Sequence, residues 1–170
     1  MSGAVVWLTG LPAAGKSTLA TALAQALEDQ GRTVALLDGD VLRTGPHQDL
    51  GFSAEDRHAH VLRCATRAAQ AAAAGQVAIL AVIAPRRAMR SAARAAAGTL
   101  PFYEIHVATS LAECERRDPK GLYRQARAGL LPGFTGIDDP YEAPEAPDLR
   151  IDTAVTSVAE AVAAILRQLG

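Results

Sequence analysis

The apolar residues of this chain gather into five short runs. AVVWLTG (4–10), TVALLD (33–38), VAILAVI (77–83) and FYEIHVA (102–108) are rich in Val, Ile and Leu, and LRIDT (149–153) is a weaker fifth. Runs this apolar suit strands covered on both faces, as in a parallel sheet lying between helices. Between them the pattern predicts helices over roughly 16–30, 53–74, 86–97, 110–117, 120–129 and 156–169. The last sets Val158, Val162, Ile165, Leu166 and Leu169 along one face, behind Ser157 and Glu160 at capping-box spacing. Strand–helix alternation throughout predicts a three-layer α/β fold with a parallel five-stranded sheet.

Two alanine-rich stretches, RAAQAAAAG (67–75) and RSAARAAAG (90–98), resemble low complexity but fall inside the helical patterns. Alanine is the best helix former, so short packed helices are expected there. The longest irregular segment, 132–147, holds four prolines among acidic residues. Loops of that length in compact domains tend to be lids or binding loops.

Composition narrows the picture by exclusion. At 170 residues the chain, 1–170, reads as one domain, and a net charge of −1 with pI about 6.4 gives no basic surface for nucleic acid or acidic lipid. Cys64 and Cys114 lack metal-ligand spacing and read as reduced core thiols, a lone disulfide being the alternative. No apolar run approaches membrane-spanning length, and no signal-type segment opens the chain, so a soluble, cytoplasmic protein is expected.

Charge usage then points to chemistry. The chain has 15 Arg but only two Lys, Lys16 and Lys120, so each lysine asks for a local reason. Lys16 lies in GLPAAGKST (10–18), where Gly10 to Ser17 satisfies G-x-x-x-x-G-K-[ST] between an expected strand and an expected helix. In that context the backbone of Gly10, Leu11, Pro12, Ala13, Ala14 and Gly15 curls so that successive N–H groups point at phosphate oxygens at a helix N-terminus. Lys16 supplies a flexible point charge to the β/γ-phosphates, Ser17 a Mg²⁺ ligand, and Thr18 completes the ATP-binding stretch. A chance glycine-rich turn is the bland alternative, and the two correct flanks weigh against it.

LDGDVLRTG (37–45) places Asp38 and Asp40 just past the carboxyl end of a strand, where open α/β sheets gather ligands. One of the two can take a proton from an attacking hydroxyl while the other holds Mg²⁺ or its waters. An ordinary N-cap and turn aspartate is the competing reading. Arg43 follows one turn later. In DLGFSAEDR (49–57), Ser53 and Asp56 have capping spacing; Arg57 and His60 fall one turn apart with Arg63 further along, a basic face that suits an anion, with an ordinary solvated charged face as the alternative. Phe52 suits base stacking or ordinary loop packing equally.

GLPAAGKST, LDGDVLR, DLGFSAEDR, RDPKGLYRQARAG (117–129) and GFTGIDDPYEAP (133–144) together closely resemble adenylylsulfate kinases, from about Val6 to Thr153. Members of that family are P-loop enzymes that move the γ-phosphoryl of ATP to the 3′-hydroxyl of adenosine 5′-phosphosulfate. The resemblance implies a P-loop kinase fold with a mobile lid, D-P-K-G-L-Y, carrying Lys120, Gly121 and Leu122. It implies Asp40 as base and Lys16 and Lys120 as its catalytic companions. Arg43 and Arg57 would hold the phosphosulfate end, and Phe52 and Phe134 would sandwich the adenine. Asp38, His60 and Ile83 would complete the acceptor site. Dimerisation is common in the family, though nothing in this sequence derives it.

The chain departs from the family pattern mainly on the acceptor side. R-x-G-L-N becomes RTGPHQ, with Pro46 and His47; x-E-N-I-R-R becomes HAHVLR, with Ala59, His60 and Leu62; I-S-P-Y-R becomes IAPRR, with Ala84 and Arg86. Ala84 removes a hydroxyl that some members phosphorylate. An adenylylsulfate kinase is the expected activity. Alternatives are a paralogue acting on another nucleotide or nucleoside-like acceptor, or a non-catalytic nucleotide sensor.

Overall fold

The computed structural model describes residues 2–170. Its strands are β1 (Ala4–Thr9), β2 (Val34–Asp38), β3 (Val77–Ala81), β4 (Phe102–Val107) and β5 (Leu149–Ile151), and its helices α1 (Lys16–Asp29), α2 (Gly39–Arg43), α3 (Ala54–Ala73), α4 (Arg87–Ala97), α5 (Leu111–Arg117), α6 (Leu122–Arg127) and α7 (Val158–Leu169). The strands form one parallel sheet in the order β2-β3-β1-β4-β5.

Strand alternation splits the core in two. Val6, Leu8, Ile79, Ile105 and Ile151 face α1 and α7, while Val5, Trp7, Ala78, Leu80 and Phe102 face α3 and α4. Both faces of β1 and β3 are therefore apolar, which explains why their runs are continuous rather than alternating. The alanine-rich stretches are helical as expected. Ala65, Ala68 and Ala72 of α3 and Ala93 and Ala97 of α4 are buried in one shared cluster, where small side chains let two helices occupy a thin layer.

Capping chemistry sets several helix starts. Ser53 accepts from the Asp56 N–H, and Ser157 and Glu160 form a complete capping box. The one-turn α2 is too short for hydrophobic periodicity to reveal. It is held by Asp38, whose carboxylate accepts from the Asp40 and Val41 N–H groups.

The chain leaves β1 for the sheet edge at β2, returns to β3, then crosses to β4 on the other side of β1. Ligand-binding crevices open beyond the carboxyl ends of strands at such a reversal. α1 is fixed there by Leu19, Leu23 and Leu27, all buried. Each fully buried leucine contributes about 1.5–3 kcal/mol, so the helix N-terminus is firmly placed.

Candidate active site

The loop leaving β1 is shaped by steric demand. A Cβ on Gly10 would lie 2.4 Å from the Val107 carbonyl oxygen of β4, so only glycine lets the chain pass. Ala13 (φ 64°) and Gly15 (φ 103°) adopt left-handed conformations that turn the backbone into a cup. Lys16 spans the cup, its Nζ donating to the carbonyls of Gly10 (2.9 Å) and Leu11 (2.7 Å). Burial pulls the Lys16 ammonium down to about 8, with Asp40 the first of the charges opposing that shift.

Four side chains hold the cup from behind. The Thr153 (2.7 Å) and Thr109 (3.1 Å) hydroxyls donate to the Ala14 carbonyl, while Arg117 donates to the Thr153 hydroxyl at 2.8 Å. The Tyr123 hydroxyl of α6 donates to the Pro12 carbonyl at 2.7 Å. None of these four was singled out from the sequence. Arg117 and Tyr123 lie inside the quoted RDPKGLY stretch. Thr109 and Thr153 signal themselves only by following the last residues of β4 and β5.

Across the opening, the Ser17 hydroxyl donates to Asp38 Oδ2 at 2.6 Å. Asp38 Oδ1 accepts from the Asp40 N–H at 2.9 Å, which turns the Asp40 side chain outward. Lys120 Nζ lies 3.5 Å from Asp40 Oδ2, with both side chains well exposed. Lys16, Ser17, Asp38, Asp40 and Lys120 thus meet at one end of the sheet. Gly121 caps α6 in a left-handed conformation (φ 67°), and Leu122 begins that helix. Thr18 is exposed on the first turn of α1.

The anion-side residues are arranged differently. Arg43 donates to the Gly51 carbonyl at 2.8 Å and lies 4.5 Å over the ring of Phe52, which is 70% exposed. Arg57 donates to Asp139 Oδ2 at 2.8 Å, to the Phe52 carbonyl at 2.9 Å, and to the Gly133 carbonyl. Arg86 binds the other oxygen of Asp139 at 2.7 Å, so one carboxylate clamps two guanidinium groups. Phe134 is edge-on to Tyr123, with ring centroids 5.0 Å apart, at a different contact from Phe52. The Ile83 carbonyl accepts from the Thr9 hydroxyl at 2.6 Å, and that hydroxyl also bonds Tyr141 at 2.9 Å, tying the 132–147 segment to the end of β1.

The expected basic face of Arg57, His60 and Arg63 does not form. Each three-residue step drifts about 60° around a helix, which puts Arg57 and Arg63 roughly 120° apart. Arg57 turns to Asp139, Arg63 pairs with Asp49 at 2.7 Å, and His60 points into the core with 4% exposure. Its Nδ1 lies 2.8 Å from Nδ1 of His47, itself 1% exposed. The two histidine departures from the family pattern are thus one buried pair. Burial holds His47 below its ordinary value and His60 down to about 4, so both rings are neutral near pH 7.

A glycine-rich loop cupping a helix N-terminus, with a lysine across it, one aspartate at the end of the next strand and a second in the turn after it, defines a P-loop kinase. The family model for adenylylsulphate kinase matches residues 2–152. The chain belongs to the adenylylsulphate kinase family. It is 51% identical over 163 residues to the adenylyl-sulfate kinase of Geotalea uraniireducens (strain Rf4), covering 96% of this chain and 78% of that one. The Mycobacterium tuberculosis APS kinase CysC, solved in complex with AMPPNP and APS, superposes with a TM-score of 0.95 at 41% identity, covering 99% of this chain and 98% of that one. A hexameric APS kinase from Thiobacillus denitrificans gives a TM-score of 0.76 at 39% identity, over 99% of this chain and 29% of that chain. Among the described residues no helix is long and apolar enough to cross a membrane.

Proposed function

We propose that the chain transfers the γ-phosphoryl of ATP to the 3′-hydroxyl of adenosine 5′-phosphosulfate, giving 3′-phosphoadenosine 5′-phosphosulfate. The observation that carries this reading is the meeting of the Lys16 cup, the Ser17–Asp38 pair and the Asp40–Lys120 pair at one opening. The cup and Lys16 bind the triphosphate. Asp40, exposed and aimed outward, accepts the proton of the acceptor hydroxyl. Lys120 approaches from the opposite wall and offsets charge on the moving group, while the Asp118–Tyr123 segment excludes water. Arg43 and Arg57 receive the acceptor's anionic end, with Phe52 and Phe134 serving its base.

The residues present suit Mg²⁺. The Ser17 hydroxyl and an Asp38 carboxylate oxygen, 2.6 Å apart, are the hard oxygen donors a small ion prefers while keeping most of its waters. Ser17 would be the direct ligand and Asp38 would hold ligating water; Mg²⁺ would supply charge neutralisation at the phosphates.

The buried His47–His60 pair supports an acceptor site that has kept its substrate. Its rings face each other and the core, with His60 Nε2 packed behind Gly39, so neither ring lies on the exposed side onto which Asp40 opens. The test supplies ATP and Mg²⁺ with adenosine 5′-phosphosulfate, AMP, adenosine or no acceptor, and follows ADP and product mass. ADP formed chiefly with the phosphosulfate, with a 3′-phosphorylated product, is expected. ADP formation with AMP or adenosine instead would replace the proposed acceptor, and ATP binding without ADP from any of them would leave a nucleotide sensor.

A further inference from the structure

The histidine pair has a third member. Cys64, one turn after His60 on α3 and fully buried, places its Sγ 3.9 Å from His60 Nε2. One donor atom from each of His47, His60 and Cys64 lies within 4.8 Å of the others. We propose that these three side chains form a buried site for a thiophilic metal ion, monovalent copper or zinc, behind the Asp38–Asp40 turn.

Three observations carry this. The first is the donor set itself: two imidazoles and a thiol select soft and borderline ions, and discriminate against the Mg²⁺ served by oxygen donors at the front of the turn. The second is unmet valence. His47 Nε2 is buried without any hydrogen-bond partner. The two Nδ1 atoms, 2.8 Å apart, share one proton as donor and acceptor, which leaves His47 Nε2 with either an unpaired N–H or an unpaired lone pair. Whichever tautomer the pair adopts, the cluster leaves a ring nitrogen unsatisfied, an arrangement that usually asks for an explanation. The third is enclosure: exposures of 1%, 4% and 0% exclude the solvent that would otherwise compete as ligand.

The surroundings order the two ions. Arg43, Arg63 and Arg67 impose positive charge on the histidines, opposed at His47 only by Asp49. Binding releases the Cys64 thiol proton and gives up the Nδ1–Nδ1 hydrogen bond, whose acceptor lone pair one ring needs for the ion; each neutral imidazole then keeps one N–H on the nitrogen that does not ligate. With the thiolate, Cu⁺ then gives a neutral centre and Zn²⁺ a centre of charge +1. Three donors also suit Cu⁺ better than the four-ligand sets of structural zinc. The ring of His60 packs against the turn, since a Cβ on Gly39 would lie 3.3 Å from its Nε2, so an ion held here rests directly behind the aspartates.

The full chain is titrated with Cu⁺ against a chromogenic chelator, and in a second arm with Co²⁺ as the spectroscopic stand-in for zinc. Both arms load the folded protein and also refold it with the ion present, so that slow entry into the core is not read as absence of a site. One equivalent per chain with a thiolate-to-metal charge-transfer band is expected in at least one arm. The Cys64→Ala variant should lose the band and bind at least about 100-fold more weakly, and Cys114→Ala should retain both. His47→Asn, on a loop and tolerated by the family pattern, should weaken binding about 10–100-fold, the loss typical of perturbing a metal's ligand shell. Absence of a thiolate band in both arms, or a band undiminished in Cys64→Ala, would overturn the site. Neither result depends on the acceptor assay.

Discussion

The two halves of the candidate active site are made of different material. The nucleotide half is backbone: a cup of main-chain groups, shaped by Gly10, Ala13 and Gly15 and held from behind by Thr109, Arg117, Tyr123 and Thr153. The acceptor half is side chain: Arg43 on Phe52, and Arg57 and Arg86 clamped by Asp139. A backbone cup answers one unchanging demand, a triphosphate, and leaves little for sequence to vary. A side-chain wall is adjustable residue by residue, and Arg86 is the one member of this wall that departs from the family's pattern, while the departures at His47, His60 and Ala84 are buried behind it.

The comparison can be broken most forcefully at Asp40. Asp40→Ala should lower kcat by about 10³-fold, within the range of general-base catalysis, while the ATP dissociation constant stays within about twofold. Normal turnover in that variant would remove Asp40 from the base role. Asp139→Asn comes next. It takes the charge from a carboxylate that clamps two arginines, and charged hydrogen bonds are worth about 1.5–3 kcal/mol each. The acceptor KM should rise about 10–100-fold with the ATP KM unmoved. An equal rise in both would show that the halves are not separable.

Lys16 gives a third, smaller test through pH. Its ammonium, held at about 8 by burial, deprotonates in the free protein as pH rises through that value. Bound triphosphate favours the charged form, so ATP binding takes up a proton above pH 8. Affinity should fall about tenfold between pH 7 and 9. Calorimetry in buffers of different ionisation enthalpy reads the uptake directly; constant affinity and no uptake would contradict a desolvated Lys16. The smallest effect is expected at Thr153→Val, which removes one of two hydroxyls on the Ala14 carbonyl. About 1 kcal/mol, or roughly fivefold in ATP affinity, should be lost with the acceptor KM unchanged.

Legibility in the sequence follows the same division. The five strands and the phosphate loop were readable because each rests on a local rule: continuous apolar runs for doubly covered strands, and glycine–lysine spacing for a backbone cup. The short α2 was not, because one turn gives no periodicity to detect. The arginine wall was half readable. Charge makes Arg57 a candidate anion binder, but its partner, Asp139, comes 82 residues later and is supplied only by the tertiary fold. The histidine pair failed for the same reason. His47 and His60 are 13 residues apart, and which way each ring turns is decided by the packing of α3, not by neighbours in sequence. Reading Arg57, His60 and Arg63 as one face also treated three-residue spacing as exact alignment, which a 3.6-residue helix does not give over two steps.

The bond from Tyr123 to the Pro12 carbonyl has a mechanical consequence. It pins the wall that carries Lys120 to the floor that holds the phosphates, three residues from the lysine itself. Arg117, three residues to the other side of the lysine, reaches the Ala13 and Ala14 carbonyls of the same floor, so Lys120 sits on a short span held at both ends. The span is a bridge with both abutments on one floor: reshaping that floor reaches Lys120 from either side, through Tyr123 and through Arg117.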